Sequence, residues 1–205
     1  MEHFYKTIGE DWFTYESIYN EMIYRFKDGS HFVEVGSWKG RSSSYMGVEI
    51  INSRYNIKFD CVDTWNGTIE HRDSQGKLER RNNDRFLLTT LWDEFNNNIS
   101  PIKHIINPIR MSSVNASKLY DDNSLDFVFL DGSHVYNDIV MDILNWLPKV
   151  KVGGVLAGHD YKTEENDCCM DVNKAVHDTL KGDIIVRDQS WVYEKIIPHE
   201  SKSLY

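Results

Sequence analysis

Five short apolar runs are separated by segments of helical period, and this alternation constrains the fold more than any other feature. The runs are HFVEVG (31–36), KFDCVD (58–63), HIINPIR (104–110), LDFVFLD (125–131) and GGVLAGHD (153–160). Consecutive strands joined through helices return in parallel, and a parallel sheet must be covered on both faces. Tyr15, Ile18, Tyr19, Met22, Ile23 and Phe26 recur at helical spacing, which predicts an opening amphipathic helix over 14–27, capped by Thr14. A second helix is expected from Ser42 to Ile51. Val135, Ile139, Val140, Ile143, Leu144 and Leu147 share one face of a third, with Asn137, Asp138, Asp142 and Asn145 on the other, and Pro148 with Gly153–Gly154 ends it. A last helix over Val172–Leu180 leads to IIV (184–186) and WVYEKII (191–197), which read as a terminal hairpin. The expected fold is α/β, a doubly wound and mostly parallel seven-stranded sheet with an antiparallel last strand, formed by residues 1–205 as one domain. Pro108 limits how regularly the third run can pair.

One segment departs from this rhythm. Thr64 to Asn82 is polar and aperiodic, followed by a helical pattern carrying Phe86, Leu87, Leu91 and Phe95. Connections this long are commonly functional, so 64–98 is read as a lid insertion, in which His71, Arg72, Arg80 and Arg81 could meet an anionic or sugar substrate. A net charge of −9 repels phosphate surfaces and argues against nucleic-acid and membrane partners. The N-terminus lacks signal architecture, and no apolar run approaches the roughly 20 residues of a membrane span. Three cysteines make no disulfide framework; Cys61 reads as a buried thiol, and Cys168 and Cys169 lack zinc-site spacing. A cytoplasmic location is expected. The aromatic stripe of the first helix is either core or a dimer face, which leaves a homo-oligomer open.

VEVGSWKGRSS (33–43) turns from a strand through Gly36 and Gly40 into a helix. Glycines admit a ligand close to the backbone, and free amides at a helix start favour an anionic group. The G-x-x-x-G spacing fails the dinucleotide fingerprint, so a pyrophosphate cradle is not expected. Glu34 is an acid inside a buried strand and needs a partner, for which a ligand ammonium group is suited. Asp63 ends the second strand, where doubly wound folds place an acid for ribose hydroxyls. Together, the turn and Asp63 point to an adenosine-containing ligand.

EVGSWKGRSS, CVDTW, FVFLDGSH and GGVLAGHDY, in that order, resemble the class I S-adenosylmethionine-dependent methyltransferases and their Rossmann-like fold. The resemblance covers 30–161 and is nearest to sugar and macrolide-sugar O-methyltransferases, with catechol O-methyltransferase more distant. It implies S-adenosylmethionine as cofactor, a divalent cation such as magnesium or manganese, and a small hydroxylated acceptor. Glu34, Gly36, Ser37 and Gly40 would surround the methionine part, with Trp38 and Ser42 nearby. Asp63 would hold the ribose beside Trp65, and Ser112 and Ser113 would lie near the adenine. Asp131 would serve both cofactor and cation, with His159 and Asp160 completing the metal set.

Two departures bear on mechanism. Catechol-type enzymes carry Asp-Asn where this chain has His159-Asp160, and imidazole is a poor magnesium ligand. Either His159 orients Asp160 from behind, or the metal is softer, such as manganese, iron or zinc. Related sugar enzymes also carry an acid where Ser133 stands, and His134 is the replacement expected to accept the hydroxyl proton. Imidazole has an ordinary pKa of about 6.5, suited to that step near neutrality. His134 could instead bind metal or substrate, or cap a helix. Two other functions remain open on the same residues: a non-haem iron oxygenase using Asp131 with histidines, and a non-catalytic S-adenosylmethionine-binding module.

Overall fold

The computed structural model describes residues 1–9, 11–67, 91–161 and 170–196. The expected lid therefore lies partly outside the described residues, together with His71, Arg72, Arg80, Arg81, Phe86, Leu87, Cys168 and Cys169. Among the described residues, seven strands form one sheet: β1 His31–Val35, β2 Lys58–Asp63, β3 Ile106–Arg110, β4 Leu125–Leu130, β5 Val150–Gly158, β6 Ile185–Arg187 and β7 Ser190–Glu194. Their order is β3-β2-β1-β4-β5-β7-β6. The first five pair in parallel, and β7 runs antiparallel to both β5 and β6. This is the doubly wound sheet that the alternating runs predict, with the reversal of order beside β1. Pro108 is tolerated because β3 is an edge strand, paired only to β2.

Residue alternation in the strands builds two cores. Phe32, Phe59, Cys61, Phe127 and Phe129 point to one face, under α1 (Glu16–Phe26), α2 (Arg41–Ser53) and α3 (Leu91–Asn98). Val33, Val35, Val62, Val128, Leu130 and Leu156 point to the other, under α4 (Ser113–Ser117), α5 (Tyr136–Trp146) and α6 (Met170–Thr179). The aromatic stripe of α1 is core: Ile18, Tyr19, Met22 and Ile23 have no exposed surface. No helix among the described residues is long and apolar enough to cross a membrane.

The crevice is set where β1 and β4 end. Asp131 donates its N–H to the carbonyl of Val35 at 2.7 Å, and Gly36 donates to Val62 at 2.8 Å. A Cβ on Gly36, whose φ is +91°, would stand 2.0 Å from the Asp131 carbonyl oxygen. Gly36 is thus demanded by backbone packing as well as by any ligand.

Two helices differ from expectation. Thr14 does not cap α1: Tyr15 holds the N-cap position without a side-chain bond, and the Thr14 hydroxyl reaches elsewhere. In α5 the buried face is Ile139, Ile143 and Trp146, while Leu144 is 55% exposed. The helix is rotated because the Trp146 indole N–H donates to Ser113 Oγ at 2.8 Å. That rotation carries Asp142 inward, against Gly132, where the Ser113 hydroxyl also serves its carboxylate.

This packing has two measurable consequences. Gly36→Ala should destabilise the fold by well over the ~1 kcal/mol of an ordinary glycine exchange; a urea midpoint like that of the wild type would contradict the close approach. Burial, offset by the Ser113 bond and reinforced by nearby Asp138, raises the Asp142 carboxyl to about 6. The unfolded carboxyl titrates near ~3.9, so the folded state holds the extra proton between these values, and stability falls as pH rises from ~4 to ~6. The loss is at most about 2–3 kcal/mol. Asp142→Asn should flatten this part of the pH–stability curve in urea titrations, and a parallel curve would remove the assignment.

Candidate active site

Asp63, Trp38 and Trp65, at the ends of β1 and β2, form one bonded unit. Asp63, closing β2, accepts the N–H of Trp38 at 2.8 Å and of Trp65 at 2.7 Å. Both tryptophans have positive φ, +47° and +51°, a conformation costing a bulky residue roughly 1–3 kcal/mol. Trp65 Nε1 donates to the Trp38 carbonyl at 2.8 Å, and its fully buried ring packs on Trp92 and Phe95. Trp65 thus braces the turn from behind. Burial raises the Asp63 carboxyl, and the backbone N–H groups of Trp65 and Trp38 oppose that rise. The backbone N–H groups of Thr64 and Ser37 act in the same sense, so four amides converge on this carboxylate.

The turn between β1 and α2 has the features an anionic group needs. Gly40, with φ +86°, holds the N-cap of α2 and has no side chain with which to bond its first amides. Ser37 and Ser42 are buried beside it, and the Ser37 hydroxyl has no hydrogen-bond partner among the described residues. Glu34 differs. It has no exposed surface; Tyr19 donates to it at 2.8 Å, Ser43 donates a further bond, and the Cys61 thiol lies 3.7 Å away. Burial raises its carboxyl, and the hydroxyls of Ser43, Ser42 and Tyr19 lower it. The partner expected from a ligand ammonium is supplied by hydroxyls of α1 and α2. Beyond β3, Ser112 holds the N-cap of α4 and is exposed, whereas Ser113 is engaged by Trp146 and Asp142.

At the ends of β4 and β5, Asp131, His134 and Asp160 place one potential ligand atom each within 4.8 Å of one another. His134 Nε2 lies 2.8 Å from Asp160 Oδ2. Asp160 itself has φ +58°. Burial would raise its carboxyl, but His134 and His159 hold it far below the usual range. His159 falls outside the triad, although expected within the metal set. It is buried, with Nε2 3.0 Å from Thr14 Oγ1, and Nδ1 3.4 Å from Asp160 and 3.7 Å from Asp131. Burial would depress this imidazole, yet the two carboxylates raise it to about 9, so it is a cation near neutral pH. Ser133 donates to Asp138 at 2.7 Å and accepts from the Val135 N–H, which makes it part of the α5 start.

Two contacts were not expected. Tyr15 donates to Asp131 Oδ2 at 2.8 Å, and Asp142 shares the crevice with His134, Asp160 and Val172. Thr14 and Tyr15 carry no motif, so only their place before the first helix could have marked them.

The donors present suit both expected groups. An uncapped helix start and an acid at the ribose position fit S-adenosylmethionine. Two carboxylates and an imidazole, one carboxylate strongly ionised, fit a divalent cation.

Solved structures share the fold. An O-methyltransferase named NovP superposes with a TM-score of 0.64 at 16% identity, covering 89% of this chain and 78% of its own. A Corynebacterium glutamicum protein superposes at 0.60 and 12% identity, covering 95% and 86%. CalS11, a calicheamicin methyltransferase, gives 0.58 and 11%, covering 87% and 76%. At these identities the likeness is one of fold. An uncharacterized Sinorhizobium fredii protein, y4gI, is 37% identical over 46 residues, which is 22% of this chain and 5% of that relative. Residues 33–161 match the family described as a methyltransferase domain, so the chain belongs to that family.

Proposed function

We propose that the protein transfers a methyl group to a hydroxyl of a small acceptor, with a divalent cation held by Asp131 and Asp160. The observation that carries this reading is the convergence of Asp131, His134 and Asp160 beside the glycine turn. A bound cation would lower the pKa of the acceptor hydroxyl. The amides at the start of α2, with Ser37 and Ser42, would hold the carboxylate end of the methionine moiety; Asp63 would accept from the ribose; Ser112 would stand at the adenine. His134, held against Asp160, would take the acceptor proton, a step worth about 10²–10⁴-fold. The sulfonium supplies an electrophilic methyl group, and the fixed rim aligns it with the acceptor oxygen. The acceptor class, a sugar or glycosylated metabolite, comes from the resemblance of the motifs to sugar O-methyltransferases. With an imidazole at the rim, manganese suits the site better than magnesium. We further propose a cytoplasmic protein without nucleic-acid or membrane partners.

A second reading gives His134 the role of third ligand, because its ligand atom lies within the same 4.8 Å cluster. His134→Gln separates the two. As base, it loses turnover by about 10²–10⁴-fold with manganese affinity kept; as ligand, it loses that affinity.

Calorimetry with S-adenosylmethionine tests the cofactor assignment. Asp63→Asn should weaken binding by roughly 10- to 100-fold, the value of charge-assisted hydrogen bonds; unchanged affinity would defeat it. Incubation with sugar and phenol acceptors should yield S-adenosylhomocysteine and an O-methyl product, lost on EDTA treatment and in Asp160→Ala. Turnover that survives both removes the cation from the mechanism. Oxygen consumption with ferrous iron and no sulfonium donor would replace methyl transfer with oxygenation.

A further inference from the structure

Thr14 and Tyr15 precede the matched span 33–161, yet both bond to groups of the site. The Tyr15 ring is 2% exposed. It stacks on Phe129 at 4.3 Å and meets Phe13 and Tyr19 edge-on at 4.7 and 5.1 Å. A ring wedged on three sides cannot swing, so its hydroxyl stays aimed at Asp131 Oδ2, 2.8 Å away. Thr14 works next to it. Its hydroxyl donates to the Asp188 carbonyl at 3.0 Å, and with that single proton engaged it accepts from His159 Nε2. His159 is thereby turned so that Nδ1 faces the two carboxylates.

We propose that Tyr15 is a positioning residue for the cation site: by holding Oδ2 of Asp131 it fixes the rotation of that carboxylate and presents the other oxygen to the metal. The methyltransferase core then depends on a side chain that lies outside it in sequence. This rests on the reading of Asp131 as a cation ligand. Partners that orient ligating carboxylates typically contribute about 10- to 100-fold in metal affinity.

The test is manganese(II) alone, titrated calorimetrically into the full chain. Tyr15→Phe removes one hydroxyl and keeps the ring, and should weaken manganese by about 10- to 100-fold. Tyr19→Phe is the control, because its hydroxyl is equally buried and donates to Glu34, away from the cluster. It should lower the melting temperature comparably and leave manganese affinity within about twofold. In an Asp131→Asn background, Tyr15→Phe should add no further loss, as expected when one residue acts through another. Equal manganese affinity in Tyr15→Phe and wild type overturns the proposal alone, as does an equal loss in Tyr19→Phe. A wild-type chain that binds no manganese overturns the cation reading, and the proposal with it.

Discussion

One carboxylate holds the ends of β1 and β2 together. Asp63 accepts the backbone N–H groups of Trp38 and Trp65, which come from different connections and both stand at positive φ. Neither tryptophan would adopt that conformation unaided. With Asp63 between them, the turn after β1 and the segment after β2 become a single rigid rim, closed by the indole of Trp65 on the Trp38 carbonyl. The brace extends outward: Trp65 packs on Phe95, and a Cβ on Gly40 would stand 3.0 Å from both Phe95 and Ile99. The conformation of the glycine turn, the seat of α3 and the aim of Asp63 are one coupled arrangement. Strain gathered at such a rim is the expected signature of a site that other packing over-determines.

The other half of the rim depends on balanced charge. Asp131 and Asp160 cap neighbouring parallel strands, where two carboxylates would repel each other. His134 and His159 offset this, and the Asp160 carboxyl is driven far down as a result. The imidazolium of His159, raised to about 9, neutralises in the protein alone what a cation would neutralise when bound. Burial of so much charge is tolerable because each group is bonded: Asp131 to Tyr15, His159 to Thr14, Asp160 to His134.

How much was legible in the sequence divides along physical lines. Strand ends were readable because a buried strand cannot carry an unpaired acid in its interior, so an apolar run that stops at one marks where the strand leaves the core. Asp63, Asp131 and Asp160 do stand at strand ends. The roles of neighbouring residues were not readable. His159 and Asp160 are adjacent in sequence and invite pairing as ligands, but a motif does not show what else each meets. His159 lies between Thr14 and the two carboxylates, and His134 from the loop after β4 stands beside Asp160 as well. Asp142 misled for a different reason. The apolar spacing from Val135 to Leu147 allows two nearly equivalent rotations of α5, and a single tryptophan-to-serine bond across to α4 selects between them. Thr14 has the composition of a helix cap, and tertiary contacts overrode it. Thr64–Trp65 begins what reads as loose polar chain, yet Trp65 is among the most buried residues of the protein.

The first helix shows how packing and polar bonding divide the labour. Its apolar stripe, Ile18, Met22 and Ile23, drives it onto the sheet, but apolar contact is non-directional and would tolerate sliding by part of a turn. Tyr15 and Tyr19 remove that freedom. They lie four residues apart, hence one above the other on the buried face. One hydroxyl reaches Asp131 at the end of β4, and the other reaches Glu34 within the adjacent β1. Two directional bonds to two acids on paired strands fix both rotation and axial register. Glu34, which has the composition of a ligand-binding acid, is thereby a second anchor of the helix, separate from the bond between Tyr15 and Asp131. The same register brings Thr14 over His159 and the Ser17 hydroxyl to Asp188 in the β6–β7 turn. A helix that would otherwise only cover the sheet becomes part of the wall around the carboxylates.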